Sequence, residues 1–270
     1  MTTLSPVQTS QTLGSKIRWG ASDASVLIRR SLRHIIRNMD QLLSVAISPI
    51  MFMLLFRYVF GGAINTGGVS YVNFLVAGIL VQTAAFGALT TSLSVAADLK
   101  RGIIDRFKSL PIMSSAVIIG HVTADLVRNT ISSIIMIAVA FAIGFRPVAS
   151  FTEWLIIWGI VLLFTFAISW IAAIMGLLAK SIEAVQWMGF VAVFPLTFAS
   201  SAFVPTESMP WALKIFAENQ PVTHVIEAIR ALMVGTPPGN HIWLSIVWCV
   251  GIIVVAIPLA AYFFRTKITK

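Results

Sequence analysis

The stretch VNFLVAGILVQTAAFGALTTSLSVAADLKRGIIDRFKSLP, residues 72–111, sets two kinds of sequence side by side. Residues 72–97 carry no charged side chain, and about 20 predominantly apolar residues suffice to take a helix across the hydrocarbon core of a bilayer. Residues 98–111, DLKRGIIDRFKSLP, are a charged island ahead of the next apolar run. Wound as a helix, the island puts Leu99, Ile103, Ile104, Phe107 and Leu110 on one face. Arg101, Asp105 and Lys108 fall on the other, with Lys100 near the boundary. Pro111 bounds this helix after about three turns. A loop that only joined two spans would need neither the apolar stripe nor this density of charge. The island therefore reads as an amphipathic helix that hands force to something outside the membrane, with Phe107 as a knob for a protein groove.

Composition agrees with a bilayer as solvent. The chain is 58% hydrophobic and 11% charged, with a mean hydropathy of +0.92, whereas soluble domains carry about 25% charged residues. The net charge of +9 is read as a topology signal rather than as a nucleic-acid footprint. A single cysteine, Cys249, excludes an intramolecular disulfide and a cysteine metal cluster. His34, His121, His224 and His241 are scattered, and no nucleophile-and-base pair lies within the apolar runs, so no membrane-embedded enzyme is expected. Five of the six apolar runs lack a central carboxylate, which argues against a proton- or sodium-driven carrier.

Six spans are expected, at about 42–60, 72–97, 112–145, 154–179, 187–203 and 242–264. Pro49, Pro195 and Pro258 lie inside spans, where neighbouring helices can satisfy the freed backbone groups. Six spans put both termini on one side. That side holds fourteen of the nineteen Lys and Arg residues, and the other holds Arg57, Arg146, Lys214 and Arg230. The nineteenth, Arg128, lies with Asp125 in the overlong third span, which places the pair near the headgroups of the basic side as a structural ion pair. By the positive-inside rule both termini are cytoplasmic. Residues 1–25 lack a hydrophobic signal core and read as a flexible cytoplasmic tail, ahead of one transmembrane domain at 26–270.

Two further segments stand out. Residues 26–39 form an amphipathic helix with Ile28, Leu32, Ile35, Ile36 and Met39 on one face and a ridge of Arg29, Arg33 and Arg37, suited to anionic lipid. Residues 204–241, punctuated by five prolines, lie on the external side. A short helix is expected from Trp211 to Glu218. A second is N-capped by Thr223 and stopped by Gly235, with Val225, Ile229, Leu232 and Met233 inward and the Glu227–Arg230 pair on its polar side. Such helices would half-insert in the outer leaflet as a lid over an exit path.

In this order the elements resemble the type-2 ABC transporter permeases, of the daunorubicin-resistance drug-export branch. The resemblance covers nearly the whole chain: RRSLRHIIRN as an Arg-rich elbow helix, FRYVFGG (Phe56 to Gly62) closing the first span, RGIIDRFKSLP as a coupling loop, and GFRP at Gly144 to Pro147. The most specific piece is QPVTHVIEAIRALMVG, from Gln220 to Gly235. Gln220 stands where the family more often has Asn, and Asp98 where it often has Glu. The resemblance implies an all-α permease of six transmembrane helices with an elbow helix, a cytoplasmic coupling helix and short external helices before the last span, set in a prokaryotic plasma membrane. It implies a dimer of permeases driven by separate ABC ATPase subunits. ATP and Mg would bind there, because this chain has no G-x-x-x-x-G-K-[ST].

The implied ATPase-coupling residues are Asp98, Lys100, Arg101, Gly102, Ile104, Arg106 and Phe107. Gln220, Pro221, Glu227 and Arg230 form the external gate. Spans two and five are implied to line the substrate path. There Phe190, Phe194 and Phe198 share a face at spacing four, and Thr83, Phe86 and Thr90 with Gly87 make a mildly polar groove. Rings with a few hydroxyls suit an amphipathic drug-like or lipid-like substrate. Export of lipid-linked polysaccharide is the alternative within the family, and an ion-coupled carrier is a more remote one.

Overall fold

The computed structural model describes residues 39–64, 66, 68–101, 115–179 and 181–268. The expected elbow helix before Met39 and the expected coupling residues Gly102, Ile104, Arg106 and Phe107 lie outside the described residues. Among the described residues there are eight α-helices and no strand. They are α1 (Met39–Leu55), extended by a π-helical turn Phe56–Phe60, then α2 (Tyr71–Lys100), α3 (Ser115–Ala142) and α4 (Phe151–Leu178). After these come α5 (Ile182–Phe198), the short α6 (Trp211–Asn219), α7 (Pro221–Val234) and α8 (His241–Ile268). α2, α4, Val117–Ala142 of α3 and His241–Phe264 of α8 are long and apolar enough to cross a membrane. Ala46–Phe60 and α5 are apolar but shorter. The 17 residues of α5 rise about 25 Å, against about 30 Å of hydrocarbon.

The ends follow local chemistry. Ser150 and Glu153 form a capping box that starts α4, and Ser181 accepts from the Ala184 N–H to start α5. The GFRP turn is held by Asn73, which accepts from the Arg146 N–H at 3.0 Å and donates to the Arg146 carbonyl at 3.1 Å. Arg146 itself donates to the carbonyls of Phe141 and Phe145, covering acceptors left open where α3 ends. Gly235 closes α7 with φ +78°, a conformation in which a Cβ would be strained.

α2 is the axle of the bundle. It packs against α1, α3, α4, α5 and α7, and twenty of its thirty residues are buried. Alanine and glycine at 77, 78, 84, 85, 87 and 88 let so many neighbours approach, as small residues do between membrane helices. Two hydrophobic clusters stack along the bundle. One joins Leu75, Ile79 and Leu80 to Phe145, Ile157, Phe164 and Ile229. The other joins Val95, Ile118, Trp170, Leu177 and Phe264 at the end where α2 stops and α3 starts. Between them runs a buried polar layer of Thr91, Asp125, Arg128, Asn129, Ser132, Ser133 and Ser169.

Several expectations are corrected here. Asp98 and Lys100 do not open a separate helix; they are the last turn of α2, and Arg101 is its C-cap. The Asp125–Arg128 ion pair forms as expected, in the first half of α3, but it is enclosed by the bundle. Asp125 is fully buried, bonded to Arg128 and to the Ser169 hydroxyl of α4. Thr223 is not an N-cap: α7 starts two residues earlier, with Pro221 in the first turn, where a missing N–H is harmless. The polar side of α7 is not open to solvent, because α2, α4 and α8 pack against the helix, leaving Arg230 only 7% exposed. α6 keeps the amphipathic exposed character, with Trp211, Leu213, Ile215 and Phe216 outward.

Candidate functional site

Three places in the bundle concentrate the residues singled out by sequence. The first lies midway along α2. Gln82, Thr83, Phe86 and Gly87 face Ser48 and Phe52 of α1 across a cavity of about 70 Å³. The Thr83 hydroxyl donates to the Ile79 carbonyl at 2.7 Å, so it offers the cavity only acceptor capacity. Thr90 donates likewise to Gly87, one turn on, and does not line the cavity.

From this cavity a ladder of rings runs both ways. Phe52 meets Phe198 edge-on at 6.0 Å between centroids. Phe198 stacks on Phe194 at 4.2 Å, and Phe194 on Phe190 at 5.0 Å. In the other direction Phe198 touches Phe203, which stacks on Phe56 at 4.3 Å, and Phe56 leads to Phe60. Phe190 and Phe194 are 45% and 38% exposed, whereas Phe198 is wedged among its neighbours. The structure thus joins Thr83, Phe86 and Phe198 through Phe52, a residue that sequence reading had passed over. Its signal was the spacing four of Phe52, Phe56 and Phe60 along the first span.

The second place is where α7 docks. Gln220 donates from Nε2 to the carbonyls of Leu196 and Ala199, at 2.8 and 3.1 Å, so it caps the end of α5 rather than its own helix. Pro221 then starts α7. Arg230 donates to Glu227, to the Phe74 carbonyl of α2 at 3.1 Å, and to the Ser201 carbonyl. Its guanidinium lies 3.6 Å above the Phe74 ring, a cation–π contact strengthened by burial. Glu227 and Arg230 also edge a cavity of about 970 Å³, with Thr206, Glu207, Glu218 and His241.

His224 of α7 and His241 at the start of α8 meet Nδ1 to Nδ1 at 3.2 Å. A bond there needs a neutral ring as acceptor. Burial first, and then the charge of His241, hold the His224 imidazole below its ordinary value of 6.5. A depressed folded-state value means that the unfolded chain takes up the proton first. The pair's contribution is therefore complete above pH 6.5 and is lost as pH falls from there towards the lowered value. The melting temperature of the purified protein in detergent is expected to fall between about pH 7.5 and 5.5, and to fall less in His224→Gln. Equal falls in both proteins would take the effect away from this pair.

The third place is the end of α2. Asp98 accepts from His121 of α3 at 3.0 Å, each side chain about one-fifth exposed. This contact ties the end of α2 to α3. Lys100 and Arg101 beside it are exposed. His121 belongs to this site, and sequence reading had set it aside as one of four scattered histidines.

The family model of the ABC-2 type transporters matches residues 23–234. The chain is 30% identical over 227 residues to the daunorubicin resistance ABC transporter permease protein of Streptomyces coeruleorubidus, covering 84% of this chain and 80% of that protein. It is 27% identical over 239 residues to a probable doxorubicin resistance ABC transporter permease protein of Mycobacterium tuberculosis, covering 86% and 84%. A probable multidrug ABC transporter permease of Escherichia coli is 26% identical over 208 residues, or 73% of this chain and 54% of that one.

Proposed function

Because this chain belongs to the ABC-2 type transporter family, we propose that it is the permease subunit of an ATP-driven exporter that moves a flat, amphipathic, drug-like or lipid-like compound out of the cytoplasm. The observation that carries the substrate class is the ring ladder from Phe190 to Phe60, with the Thr83–Phe86 cavity beside its midpoint. Rings stack on flat aromatic compounds and offer little to a small inorganic ion. The relatives named as a daunorubicin resistance permease and a probable doxorubicin resistance permease support the same class.

In this reading the chain crosses a prokaryotic plasma membrane six times, and α1 and α5 span it alongside the four longer helices. Both termini face the cytoplasm, which the fourteen basic residues on that side support. A second permease copy completes the path, and lipid surrounds the exposed apolar faces. ATP and Mg bind to separate ATPase subunits. Their closure pushes on the loop that opens with Asp98, Lys100 and Arg101, continues through Gly102, Ile104, Arg106 and Phe107, and is braced by His121. At the other end Gln220, Pro221, Glu227 and Arg230 hold the external gate. Permeases of this family lack an ATPase site of their own, so this chain moves its substrate with energy from another.

Exposure separates a path residue from a packing residue here, since Phe198 is locked among Phe52 and Phe203 while Phe190 and Phe194 face outward. The double variant Phe190→Ala/Phe194→Ala should raise the apparent Km for ATP-driven daunorubicin uptake into inverted vesicles by about tenfold, at roughly 0.5–1.5 kcal/mol per lost ring pair. The amount of chain in the membrane should not change. An unaltered Km would make these rings lipid-facing and remove them from the path.

A further inference from the structure

We infer that Gln82 is the hydrogen-bonding reader of a subsite between α1 and α2, which takes an uncharged carbonyl, hydroxyl or amide on the edge of a flat aromatic compound. The inference deepens the exporter reading and rests on it for the passage of that compound, though not for its binding. Gln82 stands eleven residues into α2, about 17 Å along the helix and so deep in the apolar zone. It is 3% exposed, and among the described residues neither its Nε2 nor its Oε1 has a partner. A primary amide left unpaired in a membrane bundle is costly, because lipid supplies no water to replace the missing bonds. Polar side chains at such positions are candidates for function rather than filler.

The amide also borders an opening. The cavity it lines with Ser48, Phe52, Thr83 and Phe86 measures about 70 Å³. At roughly 10–15 Å³ of such volume per water, it takes about five waters or one polar substituent. A whole drug-sized ligand needs about 300 Å³ or more, so only an edge of the compound enters. Phe52 makes the link to the remainder, since it lines the cavity and also meets Phe198 of the ladder. A flat ring held against Phe52 and Phe198 presents its substituent to the Gln82 amide. Among the described residues no charged side chain lines this cavity, which selects a neutral group. The far wall is fixed, because a Cβ on Gly87 would run into the side chain of Asn129 on α3.

Binding of pyrene and 1-hydroxypyrene to the purified full chain in detergent tests the inference, read by energy transfer from the eight tryptophans. The two probes differ by one hydroxyl. Wild type should prefer 1-hydroxypyrene by about two- to tenfold, the range of one neutral hydrogen bond. Gln82→Leu should abolish that preference and leave pyrene affinity within about twofold. Gln82→Met, which keeps length without the amide, should behave the same if the leucine variant folds poorly. A preference that survives in both variants overturns the inference, as does an equal loss of both probes or no preference in wild type. Selective binding that depends on Gln82, in a chain that shows no ATP-driven transport, would keep the subsite and discard the exporter reading.

Discussion

Asp125→Leu is expected to destabilise the chain by about 3–5 kcal/mol, the range found when one partner of a buried ion pair is removed. Asp125 is fully buried and accepts from both Arg128 and the Ser169 hydroxyl. Its loss leaves the buried Arg128 guanidinium without that counter-charge, and among the described residues the Arg128 Nε has no partner. The apparent melting temperature in detergent should drop by roughly 10 °C, taking the scaling of domains of 150–250 residues. The double variant Asp125→Leu/Arg128→Leu should recover most of that loss, since removing both charges together is often neutral. A double variant as unstable as the single one would show that the pair is not what the leucine disturbs. Recovery of stability without recovery of transport would assign the pair a role in the transport cycle.

Arg230→Leu is the second large effect, at about 2–4 kcal/mol. The side chain ties α7 to the Phe74 carbonyl of α2 and to the Ser201 carbonyl after α5, and stacks on the Phe74 ring. Glu227 is 31% exposed and borders the large cavity, so it can rehydrate once Arg230 is gone. Most of the penalty therefore comes from buried acceptors left without a donor, at about 1–3 kcal/mol each. Arg230→Lys should rescue little, because an ammonium cannot reach three acceptors as a planar fork does. Glu227→Gln should lose the least of the three. Thermal melts that rank Glu227→Gln below Arg230→Leu in stability would show that the ion pair, and not the carbonyl clamp, holds α7.

What sequence could and could not reveal follows from whether a residue's role is local. The four long helices were legible because hydropathy and length are properties of one segment, and the start of α6 and the end of α7 because Pro210 and Gly235 act within a turn. Arg230 was misread for a tertiary reason. Spacing i, i+3 from Glu227 marks a polar face, but only the enclosure of α7 by α2, α4 and α8 shows that this face is buried. The Asp125–Arg128 pair was legible from its i, i+3 spacing, but the same limit hid its third member, Ser169, which is 44 residues from Asp125. Gln82 was visible as the lone amide between Asn73 and Asp98 in α2, yet its lack of partners is a property of the packed bundle. Thr90 lies one turn beyond the Thr83–Phe86 cavity, and its hydroxyl, like that of Thr83, is bonded to its own helix.

Inverted membrane vesicles that hold this chain with its partner ATPase decide whether it is the permease of an ATP-driven exporter. A fluorescent amphipathic aromatic compound should accumulate in them with ATP and Mg. Accumulation should stop when the ATPase is made hydrolysis-deficient or this chain is omitted, and should persist when a protonophore collapses the proton gradient. Uptake that follows the proton gradient without ATP, or uptake that does not need this chain, would contradict that function.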